Sequence, residues 1–255
     1  MSQTKLKRRA AIVNLVKAKR QVTILELSKE FGVTEETIRK DLQELSEEGK
    51  LLRTFGGAAI REYGTERPLD QRIIQNLSEK QKIARAAVEL LGEGNMIVMD
   101  AGSTTSVLAK SLPHDKRIIV LTNSLEITNI LATQPGISVI CTGGRLREKS
   151  MSLQGVLAES SIESFNAELA FISCAAVDVK LGVMDSNEGE ARIKQKMIGM
   201  AREVYLLADS MKIGGIAHIT TCPISKLTGI VTDDSISPKN VQMLENSGIQ
   251  VIIGK

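Results

Sequence analysis

The chain has 255 residues, 42% of them hydrophobic and 25% charged, which excludes a disordered chain and allows one large domain or two unequal ones. Its formal charge of +3 is unevenly spread: residues 1–60 carry 12 Lys/Arg against 8 Asp/Glu, and the remaining 195 carry 21 against 22. No acid precedes Glu26 while seven bases do, so a basic head, pointing to a polyanion partner, is joined to a neutral body.

No apolar run approaches the ~20 residues that span a bilayer. The start, MSQTKLKRRAAIVNLVKAKR, has neither a long apolar run nor a small-residue cleavage site. A cytoplasmic protein with no membrane partner is therefore expected. Cys141, Cys174 and Cys222 are far apart and each lies in or beside an apolar stretch, so they read as buried free thiols. His114 and His218 have no Cys, His or Glu at ligand spacing, and no metal is expected.

In chain order, helix 1 covers roughly 4–18, with Ile12, Leu15 and Val16 on one face. Thr23 and Glu26 form a capping box that starts helix 2, and Val22 can staple to Leu27. Ile24, Leu27 and Phe31 repeat at helical spacing before Gly32 ends it. Helix 3 follows at once: Thr34 caps it, Val33 can staple to Ile38, and Glu35 and Glu36 suit its positive end. Ile38, Leu42 and Leu45 face a core. Two short helices joined by a glycine turn describe a helix-turn-helix. Gly49 closes helix 3, and GKLLRTFGGAAI at 49–60 reads as a β-wing turning at Gly56–Gly57 and carrying Arg53. If helix 3 lies in a major groove, its outer face is Thr34, Thr37, Arg39, Lys40 and Gln43, with Thr23 and Arg53 beside it. Hydroxyls near a helix N-terminus and a basic pair suit phosphates, and arginine also reads guanine edges.

Arg8, Ile12, Val16, Thr34, Thr37-Ile38-Arg39-Lys40-Asp41-Leu42, Glu48-Gly49, Arg53 and Gly56-Gly57 resemble the signature of the DeoR family of bacterial transcriptional regulators. The resemblance implies that Arg39 and Lys40 contact DNA and that Asp41 is structural, pairing with a base on a neighbouring element. Phe55 stands where the family often has His or Tyr.

Residues 61–77 read as a linker with a possible short helix. Ser78 with Gln81 opens a helix to about Leu91. Strands and helices then alternate: NMIVMD, a helix from about 104, RIIVLT, a helix from about 125, ISVICTGG, a loop and helix to about 164, ELAFISCAAVD, a helix over 188–202, and EVYLLAD. The tail GIQVIIG adds a strand. Runs such as RIIVL are apolar throughout, as in strands buried on both faces. The expected class is α/β: a small winged helix-turn-helix at 1–60, a linker at 61–77, and a mostly parallel sheet with helices on both sides over 78–255.

Ligands of such sheets bind outside the carboxyl ends of the strands. There the sequence places Asp100 with Gly102-Ser103-Thr104-Thr105, then Thr122-Asn123-Ser124, then Thr142-Gly143-Gly144. Hydroxyls and N–H groups at a helix N-terminus make an anion site, so a phosphorylated small ligand is expected. No Walker loop, GxGxxG or GxSxG occurs, and no nucleotide or dinucleotide cofactor is expected.

The DeoR resemblance extends over this body through DAGSTT, TNS, TGG, EARIK and LLADSMKIG, which look like the family's sensor domain, similar in fold to ribose-phosphate isomerases and CoA transferases. It implies that Asp100, Ser103, Thr104, Thr105, Asn123, Gly143 and Gly144 line a sugar-phosphate pocket, with Glu190, Lys194, Asp209 and Lys212 matching further family positions, and Asp178 is counted with the effector-site candidates. Ala175-Ala176 stand where members often have glycine, and Gly189 where an acid is common.

Two functions follow. The favoured one is a transcriptional regulator, a repressor in most of that family, of a carbohydrate-utilisation operon. It binds double-stranded operator DNA as a homo-oligomer of even number and answers to a phosphorylated sugar or sugar alcohol. The alternative is a sugar-phosphate isomerase-like enzyme with an appended DNA-binding head, using Asp100, Glu190 and Lys194 as acid–base groups. Single-stranded RNA recognition leans on exposed aromatics, and aromatic residues are 2% of the chain.

Overall fold

The computed structural model describes residues 3–19, 21–47, 50–54, 56–59, 66–92, 94–113 and 115–255. The chain divides into two compact units, Met1–Tyr63 and Gly64–Lys255. Gly49, Phe55, Ile60 and residues 61–65 lie outside the described residues, and with them the expected stop of helix 3, the turn aromatic and the end of the wing's return strand.

In the first unit the elements are α1 (Gln3–Lys19), β1 (Gln21–Thr23), α2 (Ile24–Phe31), α3 (Glu35–Glu47), β2 (Leu52–Thr54) and β3 (Gly57–Ala59). The capping box at Thr23 forms: its hydroxyl accepts the Glu26 N–H at 3.1 Å, and the Glu26 carboxylate accepts the Thr23 N–H at 2.7 Å. Helix α2 ends at Gly32 in the left-handed region. Ile38, Leu42 and Leu45 bury fully against Ile12 and Val16 of α1 and Ile24 and Leu27 of α2. Arg8 of α1 donates to the Asp41 carboxylate at 2.6 Å, the pairing with a base on a neighbouring element that the resemblance implied for Asp41. The wing is three-stranded: β3 lies between β2 and β1, antiparallel to both. The strand at 21–23 is hidden in sequence because its last residue is also the cap of α2.

The second unit begins earlier than the sequence suggests. Residues from 64 onward belong to it, and α4 (Leu69–Ile74) stands within the stretch expected to be linker. Helix α5 (Leu77–Val88) starts one residue before Ser78, after Asn76 in the left-handed region, and no side chain caps it. The expected Ser78–Gln81 box therefore falls inside the first turn. Next come β4 (Met96–Met99), α6 (Ser103–Lys110), β5 (Ile118–Thr122), α7 (Leu125–Leu131), β6 (Ile137–Cys141), a hairpin of β7 (Arg145–Arg147) and β8 (Ser152–Gln154), α8 (Val156–Glu163) and β9 (Ala167–Ile172). The stretch ELAFISCAAVD is not one strand. It breaks at Ser173, and β10 (Ala176–Asp178) turns away to pair with β11 (Gly182–Asp185) and, beyond it, β13 (Ile219–Cys222) in a small antiparallel sheet. Then follow α9 (Glu188–Met200), β12 (Ala201–Leu207), β14 (Gly229–Asp233), α10 (Pro238–Glu245) and β15 (Gln250–Gly254).

Seven strands form one parallel sheet in the order β15-β14-β12-β9-β4-β5-β6. Alternate residues of β4 feed opposite cores. Ile97 and Met99 join Ile83, Leu108 and Ile127 of α5, α6 and α7, while Val98 joins Ile162, Met197 and Leu244 of α8, α9 and α10. The sheet is thus a middle layer covered on both faces, which is why β4 and the later halves of β9 and β12 are apolar and buried. Strand order reverses at β4 and β9, so a crevice is expected above their carboxyl ends. No helix among the described residues is long and apolar enough to cross a membrane.

A Cβ on Gly57 would stand 2.0 Å from the Val22 carbonyl oxygen of β1. Gly57→Ala is therefore expected to destabilise the first unit by about 1–3 kcal/mol through overpacking, measured by urea unfolding, with loss of the three-stranded wing.

Candidate functional site

On the first unit, Thr34, Arg39, Lys40 and Gln43 are exposed along one side of α3, and Thr37 is half-buried. The Thr34 and Thr37 hydroxyls lie 2.9 Å apart and the Thr37 N–H reaches Thr34 Oγ1 at 3.3 Å, so both take part in the cap. Arg39 pairs with Glu35 one turn back at 3.3 Å. Both side chains of that pair are about half exposed, so it holds the guanidinium weakly. Arg53 of the wing donates to the Arg39 carbonyl at 3.0 Å, fixing wing and helix together. Burial, and then the charge of Arg39, push the Arg53 guanidinium below its ordinary pKa. Two cations held this close suit an incoming phosphate. Thr23 differs from the expectation: its hydroxyl is occupied by the α2 cap.

In the second unit the parallel register brings Asp100, Thr122-Asn123-Ser124, Thr142-Gly143-Gly144, Ser173 and Asp209 to one edge of the sheet, after β4, β5, β6, β9 and β12. At the reversal point Gly102 is required by close approach, since a Cβ there would meet Ser173 Oγ at 2.0 Å. Ser173 donates to Asp100 Oδ2 at 2.8 Å. Lys194, from α9, lies 3.1 Å from the same oxygen and also pairs with Asp185 at the end of β11. Thr221 of β13 donates to the other Asp185 oxygen at 2.6 Å. Burial alone would lower the Lys194 pKa, but Asp185, Asp100 and Glu190 together hold it well above its ordinary value. Glu190 is pushed above the usual carboxylate range by burial despite the charge of Lys194.

A second chain of ion pairs leads outward. Arg147 of β7 donates to Glu190 at 3.0 Å and to Ser150 at 2.9 Å. It also grips Glu66, which pairs with Arg72 of α4 at 3.0 Å.

The expected anion loop is only partly free. Thr105 Oγ1 turns inward, donating toward the Asp100 and Gly102 carbonyls and accepting the Gly102 N–H. Thr122 donates to the Met99 carbonyl at 2.7 Å, and Ser124 caps α7 by accepting the Ile127 N–H at 3.1 Å. Those three hydroxyls hold the edge together. Asn123 ties β5 to the hairpin through Leu153. A Cβ on Gly144 would stand 2.7 Å from the Gln154 carbonyl oxygen, so this glycine serves hairpin packing. Asp178 is a correction: it closes the β10–β11 turn, accepting the Lys180 and Leu181 N–H groups at 2.8 and 3.0 Å, and has no part in the strand-end set. Lys212 does reach that set, donating to the Cys174 carbonyl at 2.7 Å.

Four buried oxygens at this edge have no hydrogen-bond partner: Asp100 Oδ1, Thr104 Oγ1, Asn123 Oδ1 and Asp209 Oδ1. Three are acceptors only, so each can accept from an ordered water or from a hydroxyl group of a ligand. Sequence reasoning missed Glu66, Arg147, Ser173 and Asp185. Asp185 had a readable signal, an acid ending the apolar run GVMD just ahead of a helix. Arg147 and Glu66 had none, because their pairing spans a hairpin that the pattern does not show.

A DeoR-like helix-turn-helix domain matches residues 8–63, and a DeoR C terminal sensor domain matches residues 75–234. The chain is 39% identical to the uncharacterized HTH-type transcriptional regulator YulB of Bacillus subtilis, over 96% of this chain and 95% of that protein. It is 35% identical to the HTH-type transcriptional regulator GlpR of Haloferax volcanii over 97% of each. It is 30% identical to the glycerol-3-phosphate regulon repressor of Escherichia coli, over 98% of this chain and 99% of that one. Among solved structures, ribose 5-phosphate isomerase A of Methanocaldococcus jannaschii overlaps 55% of each chain at 17% identity with a TM-score of 0.42.

Removing Lys194 would leave two buried carboxylates without their cation. Lys194→Met is expected to cost about 3–5 kcal/mol, read by urea denaturation, and adding Asp185→Asn should recover part of the loss.

Proposed function

Because this chain belongs to the DeoR family of transcriptional regulators, we propose that it represses a carbohydrate-utilisation operon and is released from its operator by a phosphorylated sugar or sugar alcohol. The observation that carries the reading is the pairing, in one chain, of an exposed basic recognition helix with a sheet edge whose buried oxygens await hydroxyl donors. Thr34, Thr37, Arg39, Lys40, Gln43 and Arg53 form the DNA face. Asp100, Ser103, Thr104, Asn123, Glu190, Lys194 and Lys212 form the effector site. One small head makes few contacts, so paired heads in an even-numbered homo-oligomer meet half-sites about one helical turn or a multiple apart.

The effector site binds without turnover. Lys194 is held charged between carboxylates and so is not free to act as a base; Glu190, whose carboxyl burial raises above its ordinary range, is committed to an ion pair with Arg147. Control passes through Arg147, which joins Glu190 of the site to Glu66, near the start of the second unit. Effector and operator affinities are then linked by one coupling free energy.

Three outcomes test this. Arg39→Ala with Lys40→Ala should abolish specific binding in a gel shift. Lys40→Ala alone should lower the salt slope of log affinity by about one, and normal binding by the double variant would sink the helix assignment. A panel of sugar phosphates should release wild-type protein from DNA, with the unphosphorylated sugars much weaker and no isomerisation detected. Arg147→Met should keep both affinities but lose most of the effector's influence on DNA release. Unchanged release would remove Arg147 from the route.

A further inference from the structure

Lys80, at the start of α5, is 3% exposed, a burial that lysines rarely reach without a counter-charge. Its ammonium donates to the main-chain carbonyls of Arg72 and Gln75 at the end of α4. Among the described residues it has no carboxylate at ion-pair distance, and neither has Lys212. The charges that act on it are Lys212 and Asp209 from the far side of the reversal point, Arg72 from α4 and Glu79 from its own helix. Burial, and next the charge of Lys212, lower its pKa to about 8. Two ammonium groups thus act on each other, and the named charges around Lys80 sum to one positive group in excess, Lys80, Lys212 and Arg72 against Asp209 and Glu79.

Their surroundings are those of the effector site. Lys212 Nζ sits on the Cys174 carbonyl at 2.7 Å, one residue from Ser173, which packs on the Gly102 turn. Helices α4 and α5, which supply Lys80 and its carbonyl partners, both pack on α6. The first turn of α6 carries Thr104, fully buried with its hydroxyl unpartnered. Asp209 Oδ1, also unpartnered, lies among the same charges.

We propose that Lys80 and Lys212 together seat the phosphate of the effector, with the Thr104 hydroxyl beside them, while Asp100 and Asn123 accept hydroxyls from the rest of the molecule; this rests on the sensor reading above. A tetrahedral dianion supplies the missing counter-charge and accepts the donors that the two lysines still have to offer. Lys80 is then a specificity residue that separates a phosphorylated sugar from its parent sugar. The competing role is purely structural, a tie between α5 and the last carbonyls of α4.

The test uses the full-length chain and sulfate, a tetrahedral dianion that does not titrate near neutrality, measured by calorimetry at constant ionic strength. Lys80→Met should weaken sulfate binding about tenfold to a hundredfold. Lys80→Arg should retain much of it, and Lys239→Ala, at an exposed position of α10 outside both sites, should change nothing. Unaltered sulfate affinity in Lys80→Met overturns the proposal. If Lys80→Met does not fold, the wild-type pH profile decides. The free lysine is charged below a pKa of about 8, so affinity should be full at lower pH and fall severalfold by about pH 9. A flat profile over that range overturns the proposal. The two readings fail separately. Sugar phosphates that release Lys80→Met from DNA as they release wild type would remove Lys80 and leave the sensor standing. Sulfate held through Lys80 in a protein that answers to no sugar phosphate would leave the anion seat and sink the sensor.

Discussion

The second unit is organised around one buried cation. Lys194 reaches from α9 to Asp100 at the end of β4 and to Asp185 at the end of β11, so a single ammonium joins the middle of the large sheet, the small sheet and a covering helix. Such a cluster does not primarily add stability, since desolvating its members offsets much of their attraction. What it fixes is position. With Ser173 and Lys194 both on Oδ2 of Asp100, its other oxygen is buried without a partner at the strand ends. The positions of these strand-end groups are therefore set by the fold itself.

The first unit uses the same device on a smaller scale. Asp41 sits on the inner side of the recognition helix, and its pairing with Arg8 locks α3 against α1. That orientation leaves Arg39 and Lys40 on the outer side. The wing is locked in turn, because Arg53 is anchored to the Arg39 carbonyl and β3 is clamped between two partners. A rigid reader pays little ordering entropy on docking to DNA.

Local signals were legible in the sequence and long-range pairings were not. The Thr23–Glu26 box, the Gly32 stop and the Ile38-Leu42-Leu45 stripe each involve residues within one turn or two, and each forms as expected. The parallel strands announced themselves by continuous apolar runs. Short antiparallel pieces such as β7, β8, β10 and β11 were invisible, because three or four residues are too few to show a period. The strand ends come to one edge, as the sequence suggests, but which of their hydroxyls serve the fold is not legible in it. Thr105 and Ser124 satisfy backbone groups of the turns they sit in, and Thr122 donates to the Met99 carbonyl of the neighbouring strand β4; composition cannot tell such a hydroxyl from one that meets a ligand. Lys80 was lost for the opposite reason: on a helix rich in charge, EKQKIAR, nothing in the pattern says which lysine points inward.

The interleaved strand order has a consequence for synthesis. The elements of the first unit occupy one continuous segment that precedes every element of the second. The second unit has no such freedom. Its sheet grows outward from β4, and its last-made strand, β15, lies at an edge with Gly254 against the Lys82 backbone of α5, near the unit's beginning. Parallel pairings between distant segments form slowly. In a nascent chain the DNA reader can therefore form ahead of the body, whose sheet is finished only once β15 has been made.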